Sequence, residues 1–260
     1  MRFLPVILLT TAFVPFASVQ AQEVTLSFAN LSASNGAALS PIFVALTDGS
    51  TSAFTPGGTA SAAITKLAET GSGSDLFNVF GSANGVQTAE VTASSNAFGP
   101  GIYLPGATGS ITLDLDPNEN KYLSFFSMVV PSNDRFIGGE IQLFNNQGQF
   151  IAGNTVIDGN AIWDAGAVKS QVAGAAFLTA GGTNTPISNG VITANDNFSV
   201  WSGQKTADGY NFTSLPGDNT PLLSITTSAV PEPSIAWLFT SALWMLAVVR
   251  GKTKKLTFLA

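Results

Sequence analysis

Apolar and polar residues alternate strictly from Val24 to Phe28, the period of a strand with one buried face. Ile42-Phe-Val-Ala-Leu46 is apolar without a break and predicts a second, more fully buried strand. Between them, Asn30 to Ser40 is polar and glycine-containing, a loop, and Asp48-Gly49 turns the chain afterwards. The period then changes. From Thr59 to Glu69 the apolar Ala60, Ala63, Ile64 and Leu67 follow helical spacing, with Thr59 placed to cap the start and Gly71 the end. Ser74 to Phe80 predicts a second short helix. Strand patterns resume at 88–93, 110–115, 122–130, 139–144 and 222–227, broken by Gly99-Pro-Gly101 and Pro105-Gly106. Ser170 to Gly217 is rich in Gly, Ala and Asn and lacks periodicity; it predicts long loops, a binding rim or disorder rather than core. Short strands with turn signals and one helical interruption predict an all-β domain, an antiparallel β-sandwich with a short helical insertion.

The two ends follow other patterns. Arg2 opens a charge-poor run from Phe3 to Ala17, and Val19-Gln20-Ala21 is a small-residue cleavage site. Residues 1–21 are expected to be a secretory signal peptide, cut between Ala21 and Gln22. Near the other end, Pro231-Glu232-Pro233 precedes an uncharged stretch from Ser234 to Val249, followed by Arg250, Lys252, Lys254 and Lys255. The prolines place the helix start after Pro233. A helix over 234–249 is about 24 Å long, short of the roughly 30 Å hydrocarbon core, so flanking lysines snorkel or the bilayer thins. The basic cluster marks the cytoplasmic side. Residues 230–260 resemble a PEP-CTERM sorting signal, in the Pro-Glu-Pro, the transmembrane helix and the basic end. That resemblance implies removal by an exosortase-type processing enzyme, membrane attachment before processing, and a final place in the envelope, on the cell surface or in the extracellular matrix of a Gram-negative-type bacterium. A plain C-terminal anchor is the alternative. Residues 22–229 remain as one domain.

Composition narrows the chemistry. The chain has no cysteine, so an exported domain of this kind must hold itself by packing or with a metal. It has no histidine, which removes the commonest general base, Ser-His triads and imidazole ligands. Residues 22–229 carry fifteen Asp and Glu against five Lys and Arg. That balance disfavours nucleic acid and suits a surface protein or one that binds hard cations.

One segment combines buried strand and chemistry: Ser124-Phe-Phe-Ser-Met-Val-Val-Pro-Ser-Asn-Asp134-Arg-Phe-Ile-Gly138, followed by Ile162-Trp-Asp164-Ala-Gly166. With Ala60-Ser61 leading to Leu67-Ala-Glu-Thr-Gly71, Asn30-Leu31, and Ser40-Pro41, this order resembles the spondin domain, the N-terminal module of F-spondin and mindin, over roughly residues 23–170. The resemblance implies a C2-like β-sandwich used in matrix and cell-surface adhesion, with a calcium site. Asp134 and Asp164 are the positions it implies as ligands, and two such carboxylates repel unless a hard cation lies between them. The sequence departs from the family pattern at Ala167-Val168-Lys169, where a second acid is usual, and at Thr47, where histidine is common. Asp158 is the residue that could compensate. The alternative is that Asp134 caps a turn and Asp164 bonds backbone amides.

Asp114-Leu-Asp116-Pro-Asn118-Glu-Asn120 begins like a calcium-binding EF-hand loop but lacks its glycine, and Phe125 stands where its closing glutamate belongs; it reads as a hairpin turn. Two functions are compatible with this sequence. The first is a non-enzymatic adhesion or binding protein with a glycan or protein ligand; the second is an extracellular polysaccharide hydrolase using paired carboxylates. A carbohydrate-binding module on the same fold is not separable from adhesion by sequence.

Overall fold

The computed structural model describes residues 21–81, 84–195 and 197–231. Most of the signal peptide, Glu232, Pro233 and the span 234–249 lie outside the described residues. Among the described residues no helix is long and apolar enough to cross a membrane.

The described residues are all-β in architecture, as the sequence pattern predicts, with two short α-helices among them. In order it forms β1 (Gln22–Asn30), β2 (Ala38–Leu39), β3 (Ile42–Thr47), α1 (Ala62–Thr70), α2 (Leu76–Phe80), β4 (Gln87–Val91) and β5 (Ser95–Phe98). There follow β6 (Ile102–Leu115), β7 (Tyr122–Val130), β8 (Arg135–Gln142), β9 (Gly153–Asp158), β10 (Ile162–Asp164), β11 (Thr193–Ala194) and β12 (Pro221–Ala229). All pairings are antiparallel, in one curled sheet with two limbs. The first limb runs β9-β12-β1-β6, with β5 on β6. The second runs β4-β3-β7-β8-β10-β11. Short β2 joins them, since Leu39 pairs with Tyr103 of β6 and with Val129 of β7.

Alternation explains which faces meet. Val24, Leu26 and Phe28 of β1 point into the main core, where they share a cluster with Ile42, Val44 and Leu46 of β3. Successive side chains of a strand point to opposite faces, so Phe43 and Ala45 face the other way, onto Ile64, Leu67 and Ala68 of α1 and Phe80 of α2. That double burial is why β3 shows no polar alternation. β7 repeats the arrangement, with Leu123, Phe125 and Val129 in the main core and Phe126 beneath the helices.

Helix α1 is capped by Ser61, two residues later than the pattern suggested. Ser61 is extended and its Oγ accepts the Ile64 amide at 3.2 Å. Gly71 ends the helix at φ 71°, and a Cβ there would lie 2.8 Å from the Ser40 Cβ. Thermal melts should show Ser61→Ala costing about 1 kcal/mol and Gly71→Ala about 1–3 kcal/mol, since it meets both strain and a clash.

Several expectations shift for local reasons. Pro105-Gly106 does not end a strand: β6 runs through it as a bulge, with Ser95 opposite Thr108 but Ala97 opposite Tyr103. β8 starts at Arg135 rather than near Gly139, because Gly138-Gly139 interrupts its apolar signal. β2, β5, β9, β10 and β11 are too short or too polar for alternation to betray them. The Asp114–Asn120 segment is a turn, with the Asn118 amide donating to Asp116 Oδ1 at 2.8 Å. It joins β6 and β7, which do not pair, so it carries the chain between limbs instead of closing a hairpin.

Candidate functional site: a buried acid–arginine–acid cluster

After β7 ends at Val130, the chain passes through a fully buried turn, Ser132-Asn133-Asp134, before β8. Ser132 Oγ donates to the Val129 carbonyl at 2.6 Å and accepts the Arg135 amide at 3.1 Å. Asn133 reaches outward: its Oδ1 accepts the Gln171 amide at 2.9 Å and its Nδ2 donates to Ala173 O and Asn184 Oδ1. The turn is therefore stitched to the segment beyond Ser170.

Asp134 and Asp164 come together here, with Arg135 between them. Asp164 lies on β10 directly opposite Arg135. In this register Arg135 shares a face with Ile137, and Asp164 with Ile162, so the pair closes one end of the main core. Arg135 Nη1 is 2.5 Å from Asp164 Oδ2 and 3.4 Å from Asp134 Oδ1. Its Nη2 donates to Ser170 Oγ at 2.9 Å, and the guanidinium lies 5.6 Å from the ring centre of Trp201. Trp201 is held in turn by its Nε1 donating to Gln171 O at 2.8 Å.

Both acids are also bound to backbone amides. Asp134 Oδ2 accepts from Ala167 and Val168, each at 3.0 Å. Asp164 Oδ1 accepts from Gly166 at 2.7 Å, an Asx-turn. The Ala-Gly-Ala-Val stretch after Asp164 is thus shaped by carboxylates receiving its amides. Asp134, Arg135 and Asp164 have side-chain exposures of 0%, 2% and 17%. Burial first, and then the Asp164 charge, push the Asp134 carboxyl up to about 6, against the lowering effects of Val168, Arg135 and Ala167.

The residues present do not fit a calcium ion. Calcium takes six to eight oxygens, and here a buried guanidinium already stands between the two carboxylates. Asp134 spends both oxygens on Arg135 and two amides, and a divalent ion would be placed against fixed positive charge. Asp158 does not join the cluster: it ends β9, opposite Pro221 of β12, on the first limb. No group of three or more acids suited to holding a metal occurs among the described residues. The repulsion that suggested a cation is real, and the chain meets it with its own.

Sequence reasoning passed over Arg135, Ser170 and Trp201. Arg135 carried a readable signal: it is one of five basic residues in 22–229 and opens an apolar Phe-Ile run beside an acid. Trp201 carried none, since it lies in the stretch expected to be loops or disorder. That stretch does lack long regular elements, yet Phe198, Trp201 and Phe212 belong to the main core.

A scan against protein-family models finds no match, and a search of curated proteins finds none either.

Proposed function

We propose that the chain is an exported, non-enzymatic binding or adhesion protein of the bacterial cell surface or extracellular matrix. In this reading a C2-like β-sandwich of spondin type is delivered by the signal peptide over 1–21. The PEP-CTERM tail over 230–260 holds it by the helix at 234–249 until an exosortase-type enzyme acts. The observation that carries the reading is the commitment of Asp134 and Asp164 to Arg135 and to backbone amides. A carboxylate hydrolase needs two acids facing a substrate across a cleft, one free to protonate and one to attack or activate water. Here the acids face a buried arginine, and the cluster fastens the end of the core beneath the surface loops.

The test uses the secreted protein with host cells, isolated matrix and soluble polysaccharides. Retention on cells or matrix without release of reducing ends is expected. Release of reducing ends that disappears in Asp164→Asn would replace this function with hydrolysis. Intact mass of the secreted form tests the address separately: a chain beginning at Gln22 and lacking Trp237 and Trp244 is expected. A species from an exosortase-containing host that keeps both tryptophans would leave only a plain anchor.

A further inference from the structure

A groove of about 420 Å³ opens where the end of α1 meets the start of β6; Asp134, Arg135 and Asp164 do not line it. Its floor is apolar, from Pro41, Ile102, Met128 and Val130, and Phe177 forms a wall. Phe177 sits at φ 66°, a left-handed conformation that costs a bulky side chain energy and that glycine or asparagine would adopt more easily. Flanking bridges, Ser132 to Ala176 and Leu178 to Thr206, fix the backbone there. The ring is half-buried, edge-on to Phe98 at 5.4 Å, and leaves part of its surface to the groove.

The rim is polar and of one sign. Glu90 is the only charged residue lining the groove; it is exposed and makes no ion pair among the described residues. The C-terminal turn of α1, which has no basic residue, ends at the same rim with the negative end of its dipole. Thr70, Ser72 and Thr92 add hydroxyls. An anionic ligand is disfavoured by this field. A ligand with an apolar face, hydroxyls and a positive charge uses every feature of it.

We propose that this groove binds amine-bearing sugar residues of a polysaccharide, with the sugar's C–H face on Phe177 and its ammonium toward Glu90. The proposal rests on the binding-protein reading above and supplies its ligand class. Calorimetry on the secreted protein with a β-1,4-linked glucosamine tetramer should detect binding that weakens as salt is added. The N-acetylated tetramer and tetralysine should bind more weakly. Glu90→Gln should weaken binding of the glucosamine tetramer by about fivefold with an unchanged Tm. Phe177→Gly should abolish it while the chain stays folded, because glycine suits the left-handed backbone. No binding of the glucosamine tetramer, equal binding of the N-acetylated form or of tetralysine, or indifference to Glu90→Gln would each overturn the proposal. If the protein still adheres to cells or matrix in those cases, only the groove assignment fails. Cleavage of the tetramer would instead bring down the binding-protein reading itself.

Discussion

Arg135→Ala is expected to destabilise the protein by about 3–5 kcal/mol in urea or thermal unfolding. The substitution removes the one cation that pairs with Asp134 and Asp164 among the described residues, and leaves Asp134 buried and Asp164 half-buried without it. It also opens the space over Trp201, to which the guanidinium is stacked. Arg135→Lys should recover only part of the loss. A lysine ammonium can approach one carboxylate, but it lacks the fork that reaches Asp164 and Asp134 from Nη1 while Nη2 holds Ser170. A loss below about 1 kcal/mol, the range of surface ion pairs, would mean that the cluster is not what closes this end of the core.

The pH dependence should carry the mark of Asp134. An unfolded aspartate titrates near 4, whereas burial and the Asp164 charge push this one up to about 6 in the fold. Between those values the native state holds more protons than the unfolded state. The stability linked to this group is therefore fully present below about pH 4 and is lost as pH rises through about 6, by an amount of order 1–3 kcal/mol. Exposed acids with lowered values, such as Asp48 and Asp75, slope the other way, so the raw curve mixes both signs. The difference between wild type and Asp134→Asn isolates the contribution of Asp134. Unfolding free energies at pH 4, 5, 6 and 7 should show the variant gaining on wild type as pH rises. A difference that is flat, or that grows toward acid, would contradict the assignment.

The layered fold was legible wherever burial imposes a period. β1 reads as alternation because one face is buried. β3 reads as a solid apolar run because Phe43 and Ala45 meet the helices while Ile42, Val44 and Leu46 meet the other limb. Helix α1 declared itself through Ala63, Ile64 and Leu67. The strands that escaped, such as β2 and β11 at two residues each, are too short for any period to show. The site was half legible. Asp134 and Asp164 stood out as acids beside apolar segments, and the structure does bring them together. Their partner could not be inferred from spacing, because the pairing of Arg135 with Asp164 depends on the register of β8 and β10, and on Trp201 and Ser170 from a segment without periodicity. Two acids of like charge imply some cation. The cation here is Arg135, next to Asp134 in the chain and set opposite Asp164 by the register of β8 and β10.

The chain supplies this cation itself, from Arg135. Melting of the purified protein in 10 mM calcium and in excess chelator shows whether an ion is needed as well. A ligand bound only by the native state would raise stability by about 2.7 kcal/mol at a hundredfold excess over its Kd. With Arg135 between the carboxylates, the same Tm is expected in both buffers. A Tm several degrees higher in calcium, lost in Asp134→Asn, would contradict the account and place a calcium ion where the arginine stands.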